Sequence, residues 1–178
     1  MLTFVTQNPH KFQEVKAILG KALRHEDISY PEIQAESLEE VALHSANFLK
    51  KKLKEPFFIE DAGLFISSLK GFPGPYSRYV FETLSCSGIL RLLQGEKKRD
   101  AHFKSVVVLV EDEVKLFSSK VQGRIVNEER GNFGFGFDPI FSPKEGKKTF
   151  GEMPLEEKNL YSHRAKALKE LKNYLKRR

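Results

Sequence analysis

The residues able to do chemistry fall into a few short runs. Thr6-Gln-Asn-Pro-His-Lys11 gathers a hydroxyl, an amide and an ammonium where a strand meets a helix. Free N–H groups at a helix start favour anions, and Lys11 in the first turn adds charge, so the run suits phosphate oxygens. Without that chemistry it is an ordinary capped helix. Glu60 and Asp61 stand side by side at the end of the apolar run Phe57-Phe-Ile-Glu-Asp61. Ligands of open α/β sheets gather at the carboxyl ends of strands. Two acids there suit Mg²⁺, which takes oxygen ligands and keeps several waters, and one carboxylate can orient or deprotonate a water. The plainer reading is a polar strand end turning at Gly63. Glu32, after Pro31, is a third acid in a similar loop position, whereas Glu36 reads as charge at a helix start.

Two further runs carry donors and rings. Lys158-Asn-Leu-Tyr-Ser-His-Arg164 concentrates cations and a hydroxyl where Ser162 can open a helix. An arginine there can give two hydrogen bonds to a carbonyl edge. Gly131-Asn-Phe-Gly-Phe-Gly-Phe-Asp-Pro139 alternates glycine with phenylalanine. Such glycines can cradle phosphate, and such rings can stack on bases. By composition alone it is a tight turn feeding phenylalanines to the core, Phe133 among them.

The elements that position these runs read as a mixture of strands and helices. Leu2–Thr6 is a strand; Asn8-Pro9 starts a helix with Phe12, Val15, Ile18 and Leu19 at helical spacing, stopped by Gly20. A second strand is expected over His25–Tyr30. Ser37-Leu-Glu-Glu40 fits a capping box before a helix with Leu38, Val41, Ser45, Phe48, Leu49 and Leu53 on one face. A helix is expected over Gly88–Leu93, and residues 101–110 and 113–126 read as a hairpin. Pro139–Phe141 reads as a short strand. The C-terminal part, from Glu156, is helical with Leu160, Leu168, Leu171 and Leu175 inward and a break at Ser162. The fold class is α/β with a mixed sheet.

With 178 residues, 30% of them charged and 40% apolar, the chain is long enough for one domain with a sizeable core. Cys86 is the only cysteine, which excludes intrachain disulfides and cysteine-rich zinc sites. With no signal-peptide layout at the start, the expectation is a cytoplasmic protein. The net charge of +6 is uneven: Lys158–Arg178 holds eight Lys/Arg and one acid, Glu170, so this segment carries +7 and the rest −1. A basic helix of this kind can face nucleic acid, although acids such as Glu32 and Asp61 argue against a phosphate-backbone surface.

Taken in order, the runs resemble the Ham1 family, the inosine triphosphate pyrophosphatases or XTP/dITP diphosphatases, in its archaeal form. The matching stretches are Thr6-x-Asn-x-x-Lys11, Pro31-Glu-Ile-Gln34, Ile59-Glu-Asp-x-Gly63, Gly71-Phe-Pro-Gly-Pro-Tyr-Ser-Arg78, Phe135-Gly-Phe-Asp-Pro-Ile-Phe141 and Glu157-Lys-Asn-x-x-Ser-His-Arg-x-Lys-Ala-Leu168. The resemblance implies a single domain over residues 1–178, with a long mixed sheet, flanking helices and two lobes around a nucleotide cleft. It implies Mg²⁺-dependent hydrolysis of ITP, dITP and XTP to the monophosphate and pyrophosphate by a homodimer that cleanses the nucleotide pool. No membrane and no stable nucleic-acid partner is expected.

By the same resemblance, Thr6, Asn8 and Lys11 cradle the triphosphate. Glu32 and Asp61 hold the metal, and Asp61 also activates water. Arg78 approaches the phosphates. Phe135 stacks on the purine, Phe137 and Asp138 complete that wall, and Lys158, Ser162, His163 and Arg164 hold the nucleotide and read its 6-oxo edge. Hypoxanthine and xanthine offer an acceptor where adenine offers an amino group, so donors favour them. A related activity on modified pyrimidines or methylated nucleotides is the competing enzymatic reading. Three positions depart from the family pattern: Gln7 in the cradle, Ala62 after the acids, and Ser45 where many members carry a phosphate-binding lysine.

Overall fold

The computed structural model describes residues 2–20 and 23–177. One six-stranded sheet has the order β2-β1-β3-β4-β5-β6, with strands β1 (Leu2–Val5), β2 (Leu23–Glu26), β3 (Phe57–Ile66), β4 (Asp100–Val110), β5 (Val114–Ile125) and β6 (Phe141–Pro143). β1 runs parallel to both β2 and β3, while β5 and β6 are antiparallel, so the sheet is mixed as expected. Among the described residues five α-helices accompany it: α1 (Pro9–Leu19), α2 (Leu38–Lys50), α3 (Ser77–Leu92), α4 (Leu155–Tyr161) and α5 (His163–Lys176). The chain forms two compact units, and β3, β4 and β5 each contribute a segment to both.

The first unit comprises residues 1–61, 105–119 and 164–178. Its core joins Phe4, Val15, Phe58, Val107, Leu109, Ala167, Leu168 and Leu171. α1 begins where the sequence marks it. Asn8 accepts from the His10 and Lys11 N–H groups, Pro9 fills the first turn, and Gly20 ends the helix at a φ of 93°. Ser37 caps α2 by accepting from the Glu40 N–H, with Glu39 and Glu40 in the first turn, where the helix dipole favours acids.

The second unit comprises residues 62–104 and 120–163. Its core is built by Leu64, Ile66, Val80, Cys86, Ile89, Phe103, Val121, Ile125, Phe137, Phe141 and Phe150, among others. Arg99 ties the end of α3 to the segment after β5. Its guanidinium donates to the carbonyls of Leu93, Ile125 and Val126.

Several boundaries differ from the sequence reading. β3 does not turn at Gly63; it continues to Ile66, where Leu64 and Ile66 are fully buried. β2 stops at Glu26, and residues 27–36 are irregular. The short helix expected at Gly88 is the second half of α3. Ser85, at φ 55° and ψ −170°, interrupts α3 and hides its length from helical periodicity. Asp138–Ile140 forms a 3₁₀ turn, so β6 starts only at Phe141. The break at Ser162 is present, since its extended backbone separates α4 from α5. Leu168 and Leu171 are buried as expected, but Leu160 is 73% exposed because the register of α4 is independent of α5.

Candidate active site

In the first unit the expected phosphate cradle is partly occupied by its own bonds. The Thr6 hydroxyl accepts from the Asn8 N–H at 3.2 Å, and the Asn8 side-chain oxygen accepts from the His10 and Lys11 N–H groups at 2.9 and 3.1 Å. The next N–H, of Phe12, reaches the Asn8 carbonyl. The free helix N–H groups foreseen for anions are therefore consumed by the cap. What this run offers a ligand is the Thr6 hydroxyl proton, the Asn8 amide hydrogens and the Lys11 ammonium. Gln7 turns away, donating to Asp27 at 3.1 Å.

Lys11 connects α1 to the acids of β3. Its Nζ donates to the Glu60 carbonyl oxygen at 3.0 Å and lies 3.2 Å from Glu60 Oε2 and 3.8 Å from Asp61 Oδ1. The two neighbouring acids have different environments, because successive strand residues face opposite sides of a sheet. The Glu60 side chain is fully buried, whereas that of Asp61 is 25% exposed. Asp61 is thus the acid that solvent and substrate can reach.

Glu60 is held by an internal network. Its Oε1 accepts from the Ser105 hydroxyl at 2.6 Å, and its Oε2 lies 3.1 Å from Arg164 Nε. Arg164 also pairs with the buried Glu14 of α1. Burial by itself disfavours a charged guanidinium, but Glu60 and Glu14 outweigh it, and the Arg164 pKa rises above its ordinary value. Arg164, expected to read the base edge, is therefore buried with its charge directed at two carboxylates.

Glu32 lies exposed in the irregular segment before α2. The neighbouring Pro31 carbonyl accepts from the buried Ser45 hydroxyl at 3.2 Å. Ser45, at the position where a lysine was noted as usual, fastens the Glu32 segment to α2. Among the described residues no group of three or more His, Cys, Asp or Glu side chains converges as a metal site. Glu32 and Asp61 are both accessible oxygen donors, which fits a cation bound by one or two carboxylates together with substrate phosphates.

In the second unit, Asp138 is the centre of the remaining candidates. It is buried. Its Oδ2 lies 2.6 Å from the buried Lys158 ammonium and accepts from the Phe135 N–H at 2.8 Å. Lys158 Nζ also sits 5.1 Å from the centre of the half-buried Phe135 ring and 5.6 Å from that of Phe150. The glycines of this loop serve it internally. A Cβ on Gly134, whose φ is +71°, would lie 2.1 Å from Asp138 Oδ2, and one on Gly131 would lie 2.0 Å from the Gly151 carbonyl oxygen. The space beside these two glycines, which the sequence suggested for phosphate, is filled by the Asp138 carboxylate and the Gly151 backbone.

The phenylalanines also exchange roles. Phe133, expected in the core, is 50% exposed. Phe137, expected in the wall of the base site, is buried and meets Phe81 edge-on at 5.4 Å. His163 is buried and stacks on Phe103 with centroids 4.6 Å apart; Ser162 beside it is fully buried. Arg78 is 70% exposed in its side chain and pairs with Glu82 one helical turn on. Cys86 is buried against the Gly136 carbonyl, and burial, then Glu129 and Asp138, push its thiol up to about 12. A thiol shifted upward in this way is a weak nucleophile.

A model of the Ham1 family matches residues 2–174. The chain belongs to the Ham1 family. The Thermococcus kodakarensis protein named dITP/XTP pyrophosphatase is 52% identical over 178 residues, covering 98% of this chain and 97% of its own. The Pyrococcus horikoshii protein of the same name is 52% identical over 180 residues, covering 97% of this chain and 95% of its own. Among solved structures, a Ham1 protein from Coxiella burnetii aligns with a TM-score of 0.85 at 29% identity, covering 100% of both chains. The Ham1 protein of Staphylococcus aureus aligns with a TM-score of 0.84 at 29% identity, covering 99% of this chain and 98% of that one. The α/β fold of this Ham1 protein is that of its relatives.

Part of the basic C-terminal segment is turned inward. Lys158 and Arg164 are buried in ion pairs, and Lys172 donates to the Ile18 carbonyl at 3.0 Å. Part of the charge that resembled a nucleic-acid surface is thus internal structure. Among the described residues no helix is long and apolar enough to cross a membrane. Glu14, Ser105 and the central place of Glu60 were missed at the level of sequence. Glu14 follows Lys11 by three residues, hence on the same helical face, and Ser105 immediately precedes the apolar run Val106–Val110.

Proposed function

We propose that this Ham1 protein is an Mg²⁺-dependent nucleoside-triphosphate pyrophosphatase that hydrolyses dITP, ITP and XTP to the monophosphate and pyrophosphate. The observation that carries the reading is the Lys11–Glu60–Asp61 array: an ammonium for phosphate oxygens, fixed by a buried acid, beside an accessible acid for water. The name shared by relatives 52% identical over nearly the whole chain supports it. The role is removal of deaminated purine nucleotides from the precursor pool.

Lys11, the Thr6 hydroxyl and the Asn8 amide bind the triphosphate, with Arg78 as a further cation. Asp61 takes a proton from the attacking water as its oxygen bonds to the α-phosphorus. The bond from that phosphorus to the bridging oxygen breaks, and pyrophosphate leaves. Glu32 and Asp61 would hold Mg²⁺, which supplies charge neutralisation on the phosphates. In the second unit Phe135 stacks on the base, and Lys158, Ser162 and His163 favour its 6-oxo acceptor. Adenine's amino group would set a donor against donors and be disfavoured. Asp138 acts beneath, by accepting from the Phe135 N–H and fixing Lys158, and Phe137 by packing edge-on against Phe81. The enzyme works in the cytoplasm, where a lone thiol stays reduced, and as a homodimer.

The Phe135→Ala variant tests the base assignment. Stacking of a base on an aromatic ring is worth about 1–3 kcal/mol, so steady-state assays of pyrophosphate release from dITP should show KM raised about tenfold with the fold retained. An unchanged KM would leave Phe135 a structural residue only.

A further inference from the structure

We propose that Ser105 is a positioning residue for the phosphate-binding Lys11, acting through Glu60. The inference rests on the pyrophosphatase reading above. Ser105 is fully buried in β4, immediately before the apolar run Val106–Val110, and its hydroxyl donates to Glu60 Oε1 at 2.6 Å. A buried hydroxyl in such a place needs a hydrogen-bond partner, and this one selects a carboxylate orientation. With Oε1 held by Ser105, Oε2 faces both cations, Lys11 at 3.2 Å and Arg164 at 3.1 Å. Glu14 supports the same arrangement from the far side by pairing with Arg164.

The consequence falls on Lys11. Its ammonium is shared between Glu60 and Asp61, the latter at 3.8 Å. Without the Ser105 hydroxyl the Glu60 carboxylate loses the bond that fixes Oε1 and turns toward Arg164, and Lys11 shifts toward Asp61. A lysine drawn onto Asp61 is a weaker phosphate ligand. Lys11 holds phosphates in ground and transition states alike, so the loss appears in binding rather than in turnover.

The test is steady-state kinetics on the full chain. Ser105→Ala should raise KM for dITP about fivefold, and raise the inhibition constant of inorganic pyrophosphate similarly, with kcat within about twofold of wild type. Ser105→Thr, which keeps the hydroxyl, should restore both binding constants. Ser105→Cys, which keeps the volume with a weaker donor, should lie between and covers the case in which the alanine variant does not fold. In a Lys11→Ala background, Ser105→Ala should add no further rise, because coupled residues are not additive. Unchanged binding constants in folded Ala and Cys variants, or an independent effect in the Lys11→Ala background, would overturn the proposal. If the wild-type protein itself releases no pyrophosphate from dITP, it is the pyrophosphatase reading that fails instead.

Discussion

Replacing Asp61 with asparagine is expected to lower turnover of dITP about a thousandfold while leaving the protein folded. The reasoning starts from β3, whose alternation gives Glu60 and Asp61 opposite fates. Glu60 is enclosed by Lys11, Arg164 and Ser105, whereas Asp61 keeps a quarter of its side chain in solvent. Only the exposed acid can meet a water and a phosphate. Asparagine preserves its shape but cannot accept the proton, and general-base contributions run at about 10²–10⁴-fold. Because Asp61 is partly exposed and asparagine keeps an oxygen toward Lys11, 3.8 Å away, thermal stability should change little. Turnover within about threefold of wild type would remove Asp61 from the chemistry.

Arg164→Ala is expected to act in the opposite way, through stability first. The guanidinium is buried between Glu14 and Glu60, and its charge compensates both. Deleting it takes from two buried carboxylates the guanidinium with which both are paired. Breaking a buried ion pair by removing one partner typically costs about 3–5 kcal/mol. For a chain of this size that corresponds to a drop in melting temperature of about 10 °C. Calorimetry would measure it directly. A melting temperature within about 2 °C of wild type would mean that Arg164 is not the charge on which this network depends.

The contrast between these two residues shows what the sequence could convey. Local signals were legible: the Asn8-Pro9 helix start, the Ser37 cap and the Ser162 break depend on neighbouring residues, and all three are present. The two long strand-like runs that become β4 and β5 were equally plain. What could not be read was which side of an element faces the interior when no periodic signal marks it. Leu160 looked inward because α4 and α5 were treated as one register, and Phe133 looked buried because it shares its composition with Phe135 and Phe137. Long-range pairings were hidden for the same reason. Nothing near residue 14 announces a partner at residue 164, and nothing near residue 105 announces one at residue 60. The resemblance gave the right family, but carried Arg164 toward the base when its own side chain is committed to Glu14 and Glu60.

The glycine-phenylalanine loop illustrates a further limit. Gly131 and Gly134 are required, but by Gly151 and Asp138 rather than by a ligand. The carboxylate that demands Gly134 also fixes the Phe135 N–H and the Lys158 ammonium. One buried acid therefore sets both the ring and the cation assigned to the base.

The central claim is selective pyrophosphate release from deaminated purine nucleotides. The most direct measurement is a parallel assay of dITP, XTP, ATP and GTP with and without Mg²⁺, with products identified by chromatography. The account predicts monophosphate and pyrophosphate from dITP and XTP, kcat/KM at least about a hundredfold above that for ATP, and loss of activity when Mg²⁺ is chelated. Equal turnover of all four nucleotides, or release of inorganic phosphate in place of pyrophosphate, would contradict it.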